Sequence, residues 1–150
     1  MPETLFYHLT EKTLDQVLPG LVEKSLQRNW NVVVQASSQE RLETLDTLLW
    51  TYREESFLPH AMVRDGTERE QPVWLTTQQD NPNSAKIRFL VEGAEFGQTD
   101  EYERMVYIFD GHDNAAVEHA RVRWKYHKDQ GIGEQTYWQQ NTNGAWEKKA

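Results

Sequence analysis

An unbroken β-branched run, Val32-Val33-Val34, lies inside the segment Asn31 to Ala36 and limits most strongly how this chain folds. A strand with one wet face alternates apolar and polar residues; three consecutive valines mark a strand covered on both faces. Helical spacing flanks the run on each side. Before it, Leu14, Val17, Leu18, Leu21, Val22, Ser25 and Leu26 recur every three or four residues behind a Thr13/Gln16 capping box. After it, Ser37 and Glu40 form a second box, and Leu42, Leu45 and Leu49 make the buried stripe of a helix ending near Trp50 or Tyr52. With Leu5-Phe6-Tyr7-His8-Leu9 as an opening strand, the order is β-α-β-α, which predicts an α/β fold with a mostly parallel open sheet.

Val73-Trp74-Leu75, Ile87 to Val91 and Met105 to Phe109 continue the strand pattern. Asp113 or Asn114 caps a last helix through Lys128, and Gly131 stops it. Pro19 belongs either to the first turn of the first helix or to a kink after an earlier start. Arg53 to Gln71 reads as a long charged surface connection, and Gln139 to Ala150 as a polar tail with Trp146 as its anchor. At 150 residues the chain fits one domain.

Function classes narrow from here. With no cysteine there is no disulfide framework, thiolate metal site or Cys nucleophile. No run of about 18 apolar residues is present, and no basic leader opens the chain, so a cytoplasmic location is expected. A net charge of −8 weighs against direct phosphate contact with nucleic acid. The turn where a nucleotide-binding sheet carries glycines is here Thr10-Glu11-Lys12-Thr13, so neither a phosphate-binding loop nor a cofactor is expected. His119 and His127 lie about two helical turns apart, too far for one metal ion. His112 and Asp113 are the one pair on which an enzyme reading rests, and a polar strand-to-helix turn accounts for both.

Two clusters stand out. Arg121-Val122-Arg123-Trp124-Lys125-Tyr126-His127-Lys128 holds four cations and no acid, leaving −12 for the rest of the chain. On a helix Val117, Arg121, Trp124, Lys125 and Lys128 share one face, a mixture of cations and indole suited to an acidic peptide with an apolar end. A solvated face with Trp124 turned into the core, or a stripe contacting single-stranded DNA, accounts for the same residues. The second cluster brings Trp50 and Phe57 near one surface, through Asp46 to Trp50 and Ser56-Phe57-Leu58-Pro59-His60.

Phe6-Tyr7-His8-Leu9, Trp30 to Val34, Leu45-Asp46 to Trp50, Ser56-Phe57-Leu58-Pro59-His60, Pro72-Val73-Trp74 and Ala120-Arg121 to Lys125, in that order, resemble the chi subunit of bacterial DNA polymerase III holoenzyme, part of the clamp-loader assembly. The resemblance implies a single chi-like domain over residues 1–150. Its outline is Rossmann-like, three α/β/α layers without a phosphate loop. It also implies a replication adaptor with no catalytic activity and no cofactor or metal. The family binds the acidic C-terminal tail of single-stranded DNA-binding protein, which ends in Pro-Phe. Arg121 matches the position that holds the terminal carboxylate and Trp124 the one that packs the phenyl ring; Lys125 matches a third contact. Val117 stands where some members have Lys, and Lys128 is a substitute cation one turn past Lys125. The psi subunit, which links chi to the clamp loader, is implied at Trp50 and Phe57, with DNA reached only indirectly. The tail after Gly131 is longer than the family's usual end.

Overall fold

The computed structural model describes residues 3–51, 60–62, 72–81, 83–95, 102–131 and 133–150, with the backbone alone at residues 50, 51 and 60–62. In chain order the elements are β1 (Glu3–Leu9), α1 (Leu14–Gln27), β2 (Val32–Gln35), α2 (Gln39–Thr51), β3 (His60–Met62) and β4 (Val73–Thr76). There follow β5 (Ile87–Val91), β6 (Arg104–Asp110), α3 (Asn114–Gln130), β7 (Gln135–Gln140) and β8 (Trp146–Lys148). The strands form one sheet in the order β3-β4-β2-β5-β6-β1-β7-β8. Every neighbouring pair is parallel except β7 and β8.

The valine run behaves as its composition requires. Val32 and Val34 face a layer built from Leu14, Leu18 and Val22 of α1 and Leu42, Leu45 and Leu49 of α2. Val33 faces the opposite layer, where Ala116, Val117, Ala120 and Trp124 of α3 cover the sheet. All three valines are fully buried. Three layers result, α1 and α2 on one side and α3 on the other.

Local signals are shifted in several places. Gln16 Oε1 accepts the Thr13 N–H at 2.8 Å and closes the first capping box. Pro19 lies beyond the first turn, inside α1, so of the two expected placements the helix has the earlier start; its missing N–H costs one helical bond, and the ring is buried in compensation. The cap of α2 is Ser38, whose Oγ accepts from Arg41 N at 3.3 Å, one residue later than the expected Ser37/Glu40 box. Asp113 caps α3 through Ala115 N and Ala116 N, and Gly131 ends it at φ 63°.

Two regions depart from expectation. The connection from Arg53 to Gln71 contains β3, too short at three residues to show any alternation. The polar tail is a strand pair. In β7, Gln-Thr-Tyr-Trp-Gln-Gln, all residues but Gln140 are only half buried, so selection for apolar character is weak there. Trp146 is the anchor expected, stacked on Tyr7 with ring centroids 4.5 Å apart.

One arginine ties the middle of the sheet to its loops. Arg88 of β5 is fully buried. It donates to Gln35 Oε1 at 2.9 and 2.6 Å, to the carbonyls of Asp80 at 2.5 Å and Gln78 at 2.6 Å, and to the Tyr102 hydroxyl at 2.9 Å. Arg88→Met strands several buried acceptors at about 1–3 kcal/mol each. A loss of about 3–5 kcal/mol is therefore expected, read as a lower urea midpoint.

His127, on the buried face of α3, lies 3.2 Å from the Tyr107 hydroxyl through Nε2, and its Nδ1 has no partner among the described residues. Burial, and then the Arg123 charge, push its pKa down from 6.5 to about 4. The unfolded chain therefore takes up a proton between those values that the folded protein refuses. The resulting stability is complete above about pH 6.5 and is lost as pH falls toward 4, about 3 kcal/mol in all. Urea unfolding at pH 7.5 and 4.5 should show this slope, and His127→Gln should flatten it.

Candidate functional site

Helix α3 carries the cationic face. Arg121, Lys125 and Lys128 are exposed; Val117 and Trp124 are half buried against the second core cluster. Arg121 Nη1 donates to Glu118 Oε1 at 2.9 Å, with side chains 70% and 68% exposed. Such a pair, fully in water, holds its guanidinium weakly. Trp124 meets Phe6 edge-on at 5.3 Å and Tyr137 at 5.8 Å. One side of the indole is thus wedged into the core while the ring remains half accessible. Val122 and Tyr126, 64% and 47% exposed, occupy the same helix one step round, with Arg123 4.8 Å from the Tyr126 ring centre.

The surroundings of this face come from β1 and β7, and no pattern in the sequence pointed to the second of these. Gln135 Nε2 donates to the Trp124 carbonyl at 2.9 Å, and Tyr137 supports the indole. His8 Nδ1 and the Tyr137 hydroxyl share a hydrogen bond of 2.7 Å. His8 leans so close to Gly111 that a Cβ there would lie 2.2 Å from its Nε2, which explains a glycine at that turn. Burial, then the nearby Arg121 and His112, hold the His8 pKa below its usual value. Burial raises the Tyr137 pKa against the pull of Arg121. The Arg121 charge thus acts on both His8 and Tyr137, which with Trp124 form one cluster beside the helix.

A second concavity lies where the sheet changes direction. The chain leaves β1 into α1 on one face and β6 into α3 on the other, and β1 and β6 are neighbours. In open α/β sheets ligands occupy the crevice at such a point. Here a cleft of about 770 Å³ opens among Thr10, Lys12, Arg41, Glu92, His112 and His119. Its anion-binding loop is already filled. The backbone N–H groups of Thr10, Glu11 and Lys12 all donate to Gln140 Oε1, each at 3.0 Å. Thr10 Oγ1 donates to the Gln140 carbonyl at 3.0 Å. A neutral carboxamide from the last residue of β7 occupies the nest that a phosphate takes in nucleotide-binding sheets.

His112 and Asp113 are engaged with backbone. His112 Nε2 lies 2.7 Å from the Thr10 carbonyl, and Asp113 Oδ1 accepts from the amides of Ala115 and Ala116, the second and third residues of α3. Among the described residues, no group of three His, Asp or Glu side chains is placed to hold a metal ion. No helix there is long and apolar enough to cross a membrane. Phe57 and the side chain of Trp50, the residues expected to meet a psi-type partner, lie outside the described residues.

The Gln140 arrangement has a direct test. Gln140→Ala leaves three converging N–H groups without their acceptor and should lower stability by about 1–3 kcal/mol. Hydrogen exchange at residues 10–12 should accelerate more than exchange in β5, which would separate a local opening from general destabilisation.

Comparison with known proteins adds ancestry to this geometry. A family model described as "DNA polymerase III chi subunit, HolC" matches residues 1–135. The "Probable DNA polymerase III subunit chi" of Rickettsia prowazekii (strain Madrid E) is 24% identical over 109 residues, covering 73% of this chain and 66% of the relative. The "DNA polymerase III subunit chi" of Pseudomonas aeruginosa is 23% identical over 116 residues, covering 77% of this chain and 80% of the relative. The match thus spans just under two thirds of the Rickettsia protein's length.

Proposed function

The chain belongs to the family of DNA polymerase III chi subunits, and from that membership we propose that it is a non-catalytic adaptor whose α3 face binds the acidic tail of single-stranded DNA-binding protein. Arg121 holds the terminal carboxylate, Trp124 packs the terminal phenyl ring, and Lys125 and Lys128 attract the acidic residues that precede it. Val117 contributes only an apolar edge, since its side chain packs toward the core. A second docking surface at Trp50 and Phe57 takes a psi-type subunit and so ties the tail to the clamp loader. The domain works as one unit over residues 1–150 and in the cytoplasm.

The observation that carries this reading is the pairing of a loosely held, 70% exposed guanidinium with a braced, half-accessible indole one turn away. Arg121 exchanges its exposed partner Glu118 for a peptide carboxylate at little cost, because the pair it gives up is worth under about 1 kcal/mol. The bond to the peptide is charge-assisted and partly sheltered by the ring. The enzyme reading is less well supported, because His112 and Asp113 are held by backbone groups at a turn.

Titration of an acidic peptide ending in Pro-Phe is the test. Arg121→Ala should weaken binding by about 1.5–3 kcal/mol without changing the urea midpoint. Trp124→Ala should weaken binding and also lower stability, since the indole supports Phe6 and Tyr137. Unchanged affinity in Arg121→Ala removes the site. Salt-dependent binding of single-stranded DNA by the 121–128 stripe, with no peptide binding, replaces the reading with direct DNA contact.

A further inference from the structure

A small pocket on the opposite face of the sheet collects hydrogen-bond donors that no acceptor among the described residues takes up. It encloses about 200 Å³ between the end of α1, the strands β1, β5 and β6, and Trp146 of β8. Its floor is Ile87, Phe89 and Val106, and the stacked Tyr7 and Trp146 rings wall one side. Lys24, Arg28 and Arg104 line it. Arg104 Nε is buried and makes no hydrogen bond among the described residues. Among the same residues the Tyr7 hydroxyl has no hydrogen bond, and Lys24 and Arg28 have no ion pair. A buried donor left open is met by an ordered water or by a bound ion, and at Arg104 the open donor faces a pocket with two further cations.

Among the described residues Lys24 and Arg28 have no ion pair, and Arg104 is paired with Glu3 alone. Arg28 and Arg104 both lie over Trp30, their guanidinium carbons 5.2 and 5.5 Å from the ring centre. Cation–π contact orients a guanidinium and leaves its N–H groups free for an anion. Among the described residues, Glu3 is the one acid whose charge reaches Tyr7. It binds Arg104 through Nη2 at 3.3 Å, on the same edge of the guanidinium as Nε, yet Nε itself has no acceptor among the described residues. The carbonyls at the end of α1 are engaged already: Ser25 O accepts from Arg28 N and Trp30 N, and Leu26 O from Asn29 N. Donors therefore outnumber acceptors at the pocket mouth, in a chain that is acidic as a whole.

We propose that this pocket is an anion-binding site for a single phosphate or carboxylate group borne on a short apolar or aromatic stem. The anion takes the fork formed by Arg104 Nε and Arg28, with the Tyr7 hydroxyl as a third donor and Lys24 above. The stem lies on Ile87, Phe89 and Val106 beside the Trp146 ring. The 200 Å³ volume admits one such group and no extended strand. The site is separate from the α3 face and stands whether or not that face binds a peptide.

Titrations of the full chain with phenyl phosphate, benzoate and inorganic phosphate, followed by NMR of the arginine Nε–H and indole signals, test it. Saturable binding is expected for at least one aryl anion, at least tenfold tighter than inorganic phosphate, with shifts at Arg104 and Trp146. Phenyl phosphate against benzoate tells whether phosphate or carboxylate is preferred. With the Arg104 and Trp146 signals as the readout, Arg28→Gln, at an exposed position, should weaken binding at least tenfold and Tyr7→Phe severalfold. Linear, non-saturating shifts, or saturation untouched by Arg28→Gln, overturn the site. So does binding seen only with an oligonucleotide and growing with its length, the mark of an extended strand track.

Discussion

Strand β1 lies hydrogen-bonded between β6 and β7, and its alternation of faces sets the position of every surface discussed above. Phe6, fully buried, stacks on Tyr107 at 4.9 Å and meets Trp124 and His127 edge-on. Tyr7, the next residue, points the other way onto Trp146. His8 returns to the first face and joins Tyr137. Three consecutive aromatic side chains thus divide between the two sides of the sheet, as a period of two requires. Phe6 and His8 support the helix with the cationic face, and Tyr7 forms a wall of the pocket behind it. A shift of one residue in the pairing of β1 would exchange these roles and dismantle both surfaces together.

Much of this arrangement was legible in the sequence because burial there is two-sided or strongly periodic. Val32-Val33-Val34 announced a covered strand, and Leu42, Leu45 and Leu49 announced one helix face. Asp113 and Gly131 marked the ends of α3 because caps obey local chemistry. The capping signal for α2 misled by one residue because only Ser37 has a glutamate three residues on, while the adjacent Ser38 is the one whose hydroxyl meets the Arg41 amide. What stayed hidden lay near the sheet edges. Gln135 to Gln140 carries no apolar alternation, since its side chains are mostly half exposed and its contribution is through backbone pairing and polar contacts. Missing that strand also hid Gln135 and Tyr137, the two residues that brace Trp124. The helix of cations was visible in advance; its dependence on a strand from the tail was not, because the contacts join residues far apart in the chain.

The chain uses its arginines in two contrasting ways. Arg88 is enclosed and saturated by carbonyls, a carboxamide and a phenol, so it acts as a rigid tie among loops. Arg28 and Arg121 lie at the surface, one oriented by an indole and the other by an exposed glutamate. A guanidinium satisfied inside specifies structure; one held lightly outside is ready to change partners. A net acidic protein with its loosely held cations gathered in a few places repels polyanions at long range and accepts a carboxylate or phosphate only where geometry permits.

The carboxamide of Gln140 has a wider consequence for how this architecture uses the turn after its first strand. A loop that welcomes a diffusing phosphate elsewhere is here a fastener, closed by a residue some 130 positions away in the chain. That residue lies past the span matched by the family model, which stops at position 135. Three converging amides in such a sheet are therefore closed off without bulk at the mouth of the cleft. One neutral amide oxygen, delivered by β7, satisfies the three donors and makes this turn a seam.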